Sequence, residues 1–95
     1  MSVFPFTQKR INESTIIRKF SKAVSSADLE WHRDRQDRVV EVINGNGWMI
    51  QMDDSLPLLM EVGDRIRIRA NKWHRVIKGN DDLIVVIVEG KKAKG

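Results

Sequence analysis

The chain has 95 residues, 41% of them hydrophobic and 32% charged, enough for one core and one domain. It has no cysteine, which excludes disulfides, thiolate metal sites and cysteine nucleophiles and fits a reducing cytoplasm, the expected location. The net charge of +4 permits anionic partners, but the aromatics do not alternate with basic residues as a single-strand stacking platform requires, so nucleic acid is not expected.

In chain order, Met1 to Phe6 lacks the basic lead and long apolar stretch of a secretion signal, and residues 1–14 read as an extended arm. Thr15 to Phe20 is β-rich and reads as a first strand. Ser25 to Asp28 is turn or short helical material with a serine suited to capping, and Leu29 to Arg33 is extended again. Arg38 to Ile43 is a strand buried on at least one face. Asn44-Gly45-Asn46-Gly47 follows, the strongest hairpin signal in the chain, because Asn and Gly tolerate positive φ. Trp48 to Met52 is then expected as its partner strand. Leu56 to Val62 is a short strand with Pro57 at its edge or start. Arg65 to Arg69 alternates arginine with isoleucine, one face solvated and one buried. Trp73 to Lys78 is the next strand. Leu83 to Val88 is apolar on both faces, so core, arm or a partner chain should cover it from both sides. It is far shorter than the roughly 18 residues of a membrane span, and no membrane association is expected. Residues 91–95, with Lys91, Lys92 and Lys94, read as a basic flexible tail. Short strands at turn spacings of about eight to twelve residues, without helical periodicity, define an all-β sandwich or jelly-roll barrel over residues 15–90.

The chain has only two histidines, His32 and His74, and their surroundings resemble the two motifs of the cupins. The first cupin motif, G-x5-H-x-H-x3-E-x6-G, aligns with Ser26, His32, Asp34, Arg38 and Gly45. The second, G-x5-P-x-G-x2-H-x3-N, aligns with Gly63, Arg69, Asn71, His74 and Lys78. The resemblance spans residues 26 to 89, and the strings Glu30-Trp31-His32-Arg33-Asp34 and Ala70-Asn71-Lys72-Trp73-His74-Arg75 look like small stand-alone cupins, including ones carried in phage genomes. It implies a cupin-type jelly-roll barrel, a metal site and a homodimer. The departures are specific. Asp34 replaces the middle histidine of the cupin ligand set, and Arg38 stands in the glutamate slot.

What remains is His32, Asp34 and His74. Residues 32 and 34 share a face of an extended segment, so an imidazole and a carboxylate can reach one ion, with His74 arriving from a later strand. Two imidazoles and a carboxylate leave open coordination positions and suit iron, manganese, nickel or zinc. Arg38 shares that face. At about 5 Å a guanidinium repels a divalent ion by roughly 6 to 7 kcal/mol at an effective dielectric of about 20, and one carboxylate at similar range offsets about that much. Either Arg38 leans toward an anion, or it pairs with Asp34 in a metal-free pocket; both leave it facing negative charge. Gln36 and Trp48 are the further candidates for shaping a ligand pocket beside Arg38, with core packing the equal alternative for Trp48, whereas alternation turns Trp31 and Trp73 away from it.

Three functions stay open at this point. One is a small metal-dependent cupin that takes a small polar or anionic molecule, catalytically or not, with no catalytic residue assignable. Another is a metal-free anion-binding module. The third is a phage-type accessory or interaction protein in which the barrel is a scaffold.

Overall fold

The computed structural model describes residues 4–92, the last two by backbone alone. Eight strands form two antiparallel sheets: β1 (Thr7–Arg10), β2 (Thr15–Phe20), β3 (Gln36–Asn44), β4 (Met49–Met52), β5 (Leu58–Leu59), β6 (Arg65–Ile68), β7 (His74–Ile77) and β8 (Leu83–Lys92). The larger sheet has the order β1-β2-β8-β3-β6 and the smaller β5-β4-β7. This is the all-β jelly-roll architecture expected. Among the described residues no helix is long and apolar enough to cross a membrane.

Period-2 burial explains the pairing. β2 turns Ile16 and Phe20 inward, β3 Val40 and Val42, and β8 Leu83, Val85 and Ile87, while the inner row of the smaller sheet includes Ile50. β8 sits between β2 and β3, which pair with both of its edges; Leu83, Val85 and Ile87 face the core, while the outer face leaves Val88 exposed and is not covered on both sides as expected. β6 buries Ile68 and exposes Arg65 and Arg67, as the alternation predicts. A 3₁₀ turn at Ser26–Asp28 is capped by Ser25, whose hydroxyl accepts from the Ala27 N–H.

The extended arm includes an edge strand, β1 (Thr7–Arg10), paired along β2. Two further expectations need correction. The basic tail does not begin at Lys91, because β8 runs through Lys92; residues 93–95 lie outside the described residues. The Asn44–Gly47 signal does not close a hairpin either. β3 pairs with β6 and β8, and β4 with β5 and β7, so the turn carries the chain from one sheet to the other. The turn chemistry is local and real, but β3 and Trp48–Ile50 each have an apolar inner face, and these are buried by lying on opposite walls of one core.

That crossing turn is held by a close backbone approach. Gly47 has φ 78°, and Asn80 N–H donates to Asn46 O at 2.8 Å. A Cβ on Gly79 would meet Asn46 O and would lie 2.5 Å from the Trp48 backbone nitrogen, with no flexible side chain there to yield. Gly79→Ala is therefore expected to destabilise the domain by about 3 kcal/mol, measured as a lower urea midpoint at unchanged slope.

Candidate metal centre

His32 and His74 are direct cross-strand partners. His32 N–H donates to His74 O and His74 N–H to His32 O, both at 2.9 Å, so residues 42 positions apart in the chain are one hydrogen-bonded pair. The pair presents both rings to the same side, with centroids 4.3 Å apart at 61°. Asp34 follows His32 by two residues and is anchored by its own carbonyl, which accepts from Asn71 N–H at 2.6 Å. Asn71 has φ 64°, a left-handed conformation that asparagine tolerates better than other side chains. The turn it makes delivers His74 to the start of β7.

Side-chain hydrogen bonds define what each ring offers. His32 Nδ1 lies 3.1 Å from Glu30 O, and His74 Nδ1 lies 2.7 Å from Lys72 O. A carbonyl oxygen only accepts, so each Nδ1 carries the proton and each Nε2 keeps its lone pair. His74 is 3% exposed, and burial, followed by the neighbouring His32, pushes its pKa below the ordinary histidine value despite the Lys72 hydrogen bond and Asp34. It is therefore a neutral donor at pH 7. Asp34 Oδ2 is buried without a hydrogen-bond partner, 3.5 Å from His74 Nε2 and 3.4 Å from Arg38 Nη1.

Imidazole lone pairs that converge on a carboxylate oxygen ion-paired with Arg38 but not hydrogen-bonded are an arrangement a cation resolves. One ligand atom from each of His32, Asp34 and His74 lies within 4.8 Å of the others. Two ligand atoms at about 2.1 Å from a common ion are at most about 4.2 Å apart, so the widest pair must draw in by at least about half an ångström. His32 is exposed and free to supply that movement. The residues fit a divalent metal.

Arg38, the objection raised by the sequence, is answered by a residue that chain-local spacing does not reveal. Arg38 and Glu89 are register partners on β3 and β8, and Arg38 Nη2 donates to Glu89 Oε2 at 2.9 Å, closer than its approach to Asp34. Glu89 also accepts from Arg10 Nη2 of β1 at 3.1 Å. Burial alone would raise the Glu89 pKa, but the Arg10 hydrogen bond and the charge and hydrogen bond of Arg38 outweigh it, and the net shift is downward. Arg38 thus leans toward a carboxylate of its own sheet and leaves Asp34 without a hydrogen bond from it.

Beside this centre an outer cleft of about 440 Å³ opens between the β1 arm and the segment before β3. A smaller inner recess of about 40 Å³ lies under it, walled by core side chains such as Ile50, Met60 and Val85. Arg18, Phe20, His32, Arg38 and Val76 line both. Arg18 was not singled out in the sequence because β2 looked purely structural; the inward position between Ile16 and Phe20 was the available signal. Trp31, expected to face away, lines the outer cleft, because residues around His32 form an isolated bridge and not a regular alternating strand. Arg75 lies over the Trp31 ring at 4.8 Å and Arg33 over Trp73 at 5.1 Å.

The other two pocket candidates lie elsewhere. Trp48 is fully buried, packs 5.8 Å from Phe20 and donates its indole N–H to Asp81 O at 2.7 Å, which makes it a core residue behind the crossing turn. Gln36 opens β3 opposite Lys92, just before a register shift, and is not among the residues lining either cavity. The register shift between residues 36 and 38 interrupts the regular alternation of β3 between Gln36 and Arg38.

Sheet order, register and site together define a small protein with the cupin fold. Its solved structural neighbours include a cupin domain from Bordetella pertussis Tohama I, 16% identical, with 96% of this chain matched to 98% of that one at a TM-score of 0.64. DMSP lyases match at a TM-score of 0.70 and 14% identity over 81% of this chain, and an iron(II) HppE matches at 0.64 and 11% over 80%. This chain spans only 37% and 41% of the length of those two. At these identities the likeness is one of fold. No family model matches the chain, and comparison with curated proteins gives no match.

Proposed function

We propose that this protein is a small metal-dependent cupin that binds a divalent transition metal through His32, Asp34 and His74 and takes a small anionic molecule in the adjoining cleft. The observation that carries the reading is the buried Asp34 Oδ2, which has no hydrogen-bond donor and faces the lone pair of His74 Nε2. Iron, manganese, nickel and zinc all suit two imidazoles and a carboxylate. When bound, such an ion supplies Lewis acidity toward an oxygen of the ligand. The chain's own residues do the rest. Lys72 O and Glu30 O fix the imidazole orientation, Glu89 holds Arg38 beside the centre, and Phe20 and Val76 keep the floor of the cleft apolar. Arg38 supports an anionic ligand: its Nε is buried and has no acceptor.

Charge balance favours the same conclusion. Arg10, Arg18 and Arg38 stand against Asp34 and Glu89, already one positive charge in excess, so a divalent ion added to this group leaves a larger excess that an anion offsets. Self-association into a homodimer is supported by the exposed apolar side chains Ile17, Val39 and Val88 on the outer face of the larger sheet, and sedimentation of the untagged protein tests it.

Elemental analysis of protein purified without a histidine tag tests the metal. About one equivalent of iron, manganese, nickel or zinc per chain is expected. Retention should fall as pH drops below about 6, where protons compete for imidazole, because each neutral ring donates a lone pair that its protonated form lacks. The depressed His74 pKa places that loss on the acid side of the ordinary histidine value. Metal content independent of pH down to about 4 contradicts ligation by these rings.

A further inference from the structure

The cleft contains a cation that makes no ion pair among the described residues. Arg18 lies on the inner face of β2, lines both the outer cleft and the inner recess, and places Nε and Nη2 on the neutral amide oxygen of Gln8 at 3.0 and 2.8 Å. Its guanidinium sits 3.8 Å from the centroid of the Phe6 ring. Among the described residues no carboxylate comes within salt-bridge distance of it, although Arg38 beside it has two. Burial and the Arg38 charge lower its pKa to about 10, the direction expected of a positive charge held short of negative partners. A half-buried guanidinium that makes do with an amide oxygen gains more from a carboxylate, which it binds through two parallel hydrogen bonds.

The walls define the remainder of the molecule that brings this carboxylate. Phe4, Phe6, Phe20, Trp31 and Val76 supply aromatic and aliphatic surface around the two arginines. The unpartnered Arg38 Nε and the Arg18 fork suit the two oxygens of a carboxylate. A phosphate would carry a further charged oxygen into a cleft that Asp28, Glu30 and Asp34 also line. The inner recess of about 40 Å³ holds no more than a short aliphatic group or a few waters, so the body of the ligand occupies the outer cleft of about 440 Å³.

We infer that the cleft binds a small carboxylic acid with a flat apolar body, of the aromatic or unsaturated class, its carboxylate held by Arg18 and Arg38 and its body against the aromatic wall that the β1 arm supplies. This rests on the metal-and-anion reading above, but its recognition elements lie on β2, β3 and the arm and not in the histidine pair.

Calorimetric titration of benzoate, acetate and inorganic phosphate into zinc-loaded and metal-stripped protein tests it, with zinc content measured separately. Benzoate is expected to bind at least about tenfold tighter than acetate or phosphate, in the metal-stripped form as well though more weakly. Arg18→Gln and Phe6→Ala should each weaken benzoate by about tenfold or more while zinc content stays at the unmodified level. Far-UV circular dichroism checks folding, and Phe6→Leu, which keeps the packing but not the ring, serves if Phe6→Ala unfolds. Benzoate binding no tighter than acetate, phosphate binding tighter than benzoate, or an unchanged benzoate affinity in Arg18→Gln overturns the inference. Failure of the metal reading shows instead as absence of retained zinc, with the benzoate preference still measurable on the metal-stripped protein.

Discussion

His74→Ala is expected to lower bound metal from about one equivalent per chain to less than about a tenth, and with it to remove the metal-dependent rise in Tm. His74 is the buried member of the triad, its Nδ1 proton committed to Lys72 O, so its Nε2 lone pair is directed by the fold and has no substitute nearby. Free metal at about a hundred times its Kd stabilises the folded state by about 2.7 kcal/mol. For a domain of this size each kcal/mol moves Tm by about 4 to 8 °C, so the unmodified protein should gain on the order of 10 to 20 °C. The alanine variant also loses packing, which lowers Tm with and without metal. The decisive quantity is therefore the increment on metal addition, read by scanning calorimetry at fixed pH. A variant that keeps both its metal and its increment removes the centre from consideration.

Glu89→Gln and Arg38→Gln should move metal affinity in opposite directions, each by about tenfold or more. Glu89 is the partner that draws Arg38 away from Asp34, with 2.9 Å to Nη2 against 3.4 Å for the Asp34 approach. Neutralising Glu89 turns Arg38 onto Asp34 and leaves its charge uncompensated beside the ion, so affinity falls. Neutralising Arg38 removes the repulsion and frees the carboxylate, so affinity rises, while anion binding is lost. Glu89→Gln should also cost about 2 to 3 kcal/mol of stability, since a nearly buried guanidinium loses a charged hydrogen-bond partner. The pH sign follows from the lowered Glu89 pKa. The stabilisation is present above the ordinary carboxylate range and is lost as pH falls through the folded-state value, and in Glu89→Gln this acid-side slope should flatten. Equal shifts of the same sign in both variants would mean that the two residues act only as scaffolding.

Much of the barrel is legible in residue order because burial in a sheet has a period of two. Ile66 and Ile68 alternating with Arg65 and Arg67 announce a one-sided strand, as β6 is; the apolar run from Leu83 announces a strand covered on both faces, whereas β8 buries Leu83, Val85 and Ile87 and leaves Val88 exposed on its outer face. The Ser25 cap is legible for the same reason, since capping depends on residues within a few positions. The placement of β4 was not. The Asn44–Gly47 turn carries a strong local signal, yet whether the chain returns on the same sheet or crosses to the other depends on where the inner faces of β3 and β4 find cover. The choice between cleft and core for Trp48 was not legible either, because its indole partner Asp81 is supplied by a distant turn.

The resemblance to the cupin motifs nominated His32, Asp34, Arg38 and His74, and alternation in an extended segment put residues 32, 34 and 38 on one face. What neither could supply was the pairing of sheet neighbours. Arg18, Arg38 and Glu89 stand on β2, β3 and β8, and only the order β2-β8-β3 makes the last of these the answer to the charge of the second. Electrostatics at such a site is a matter of ångströms between strands, and distances across a sheet are set by which strands pair and in what register, choices made by burying a whole core at once.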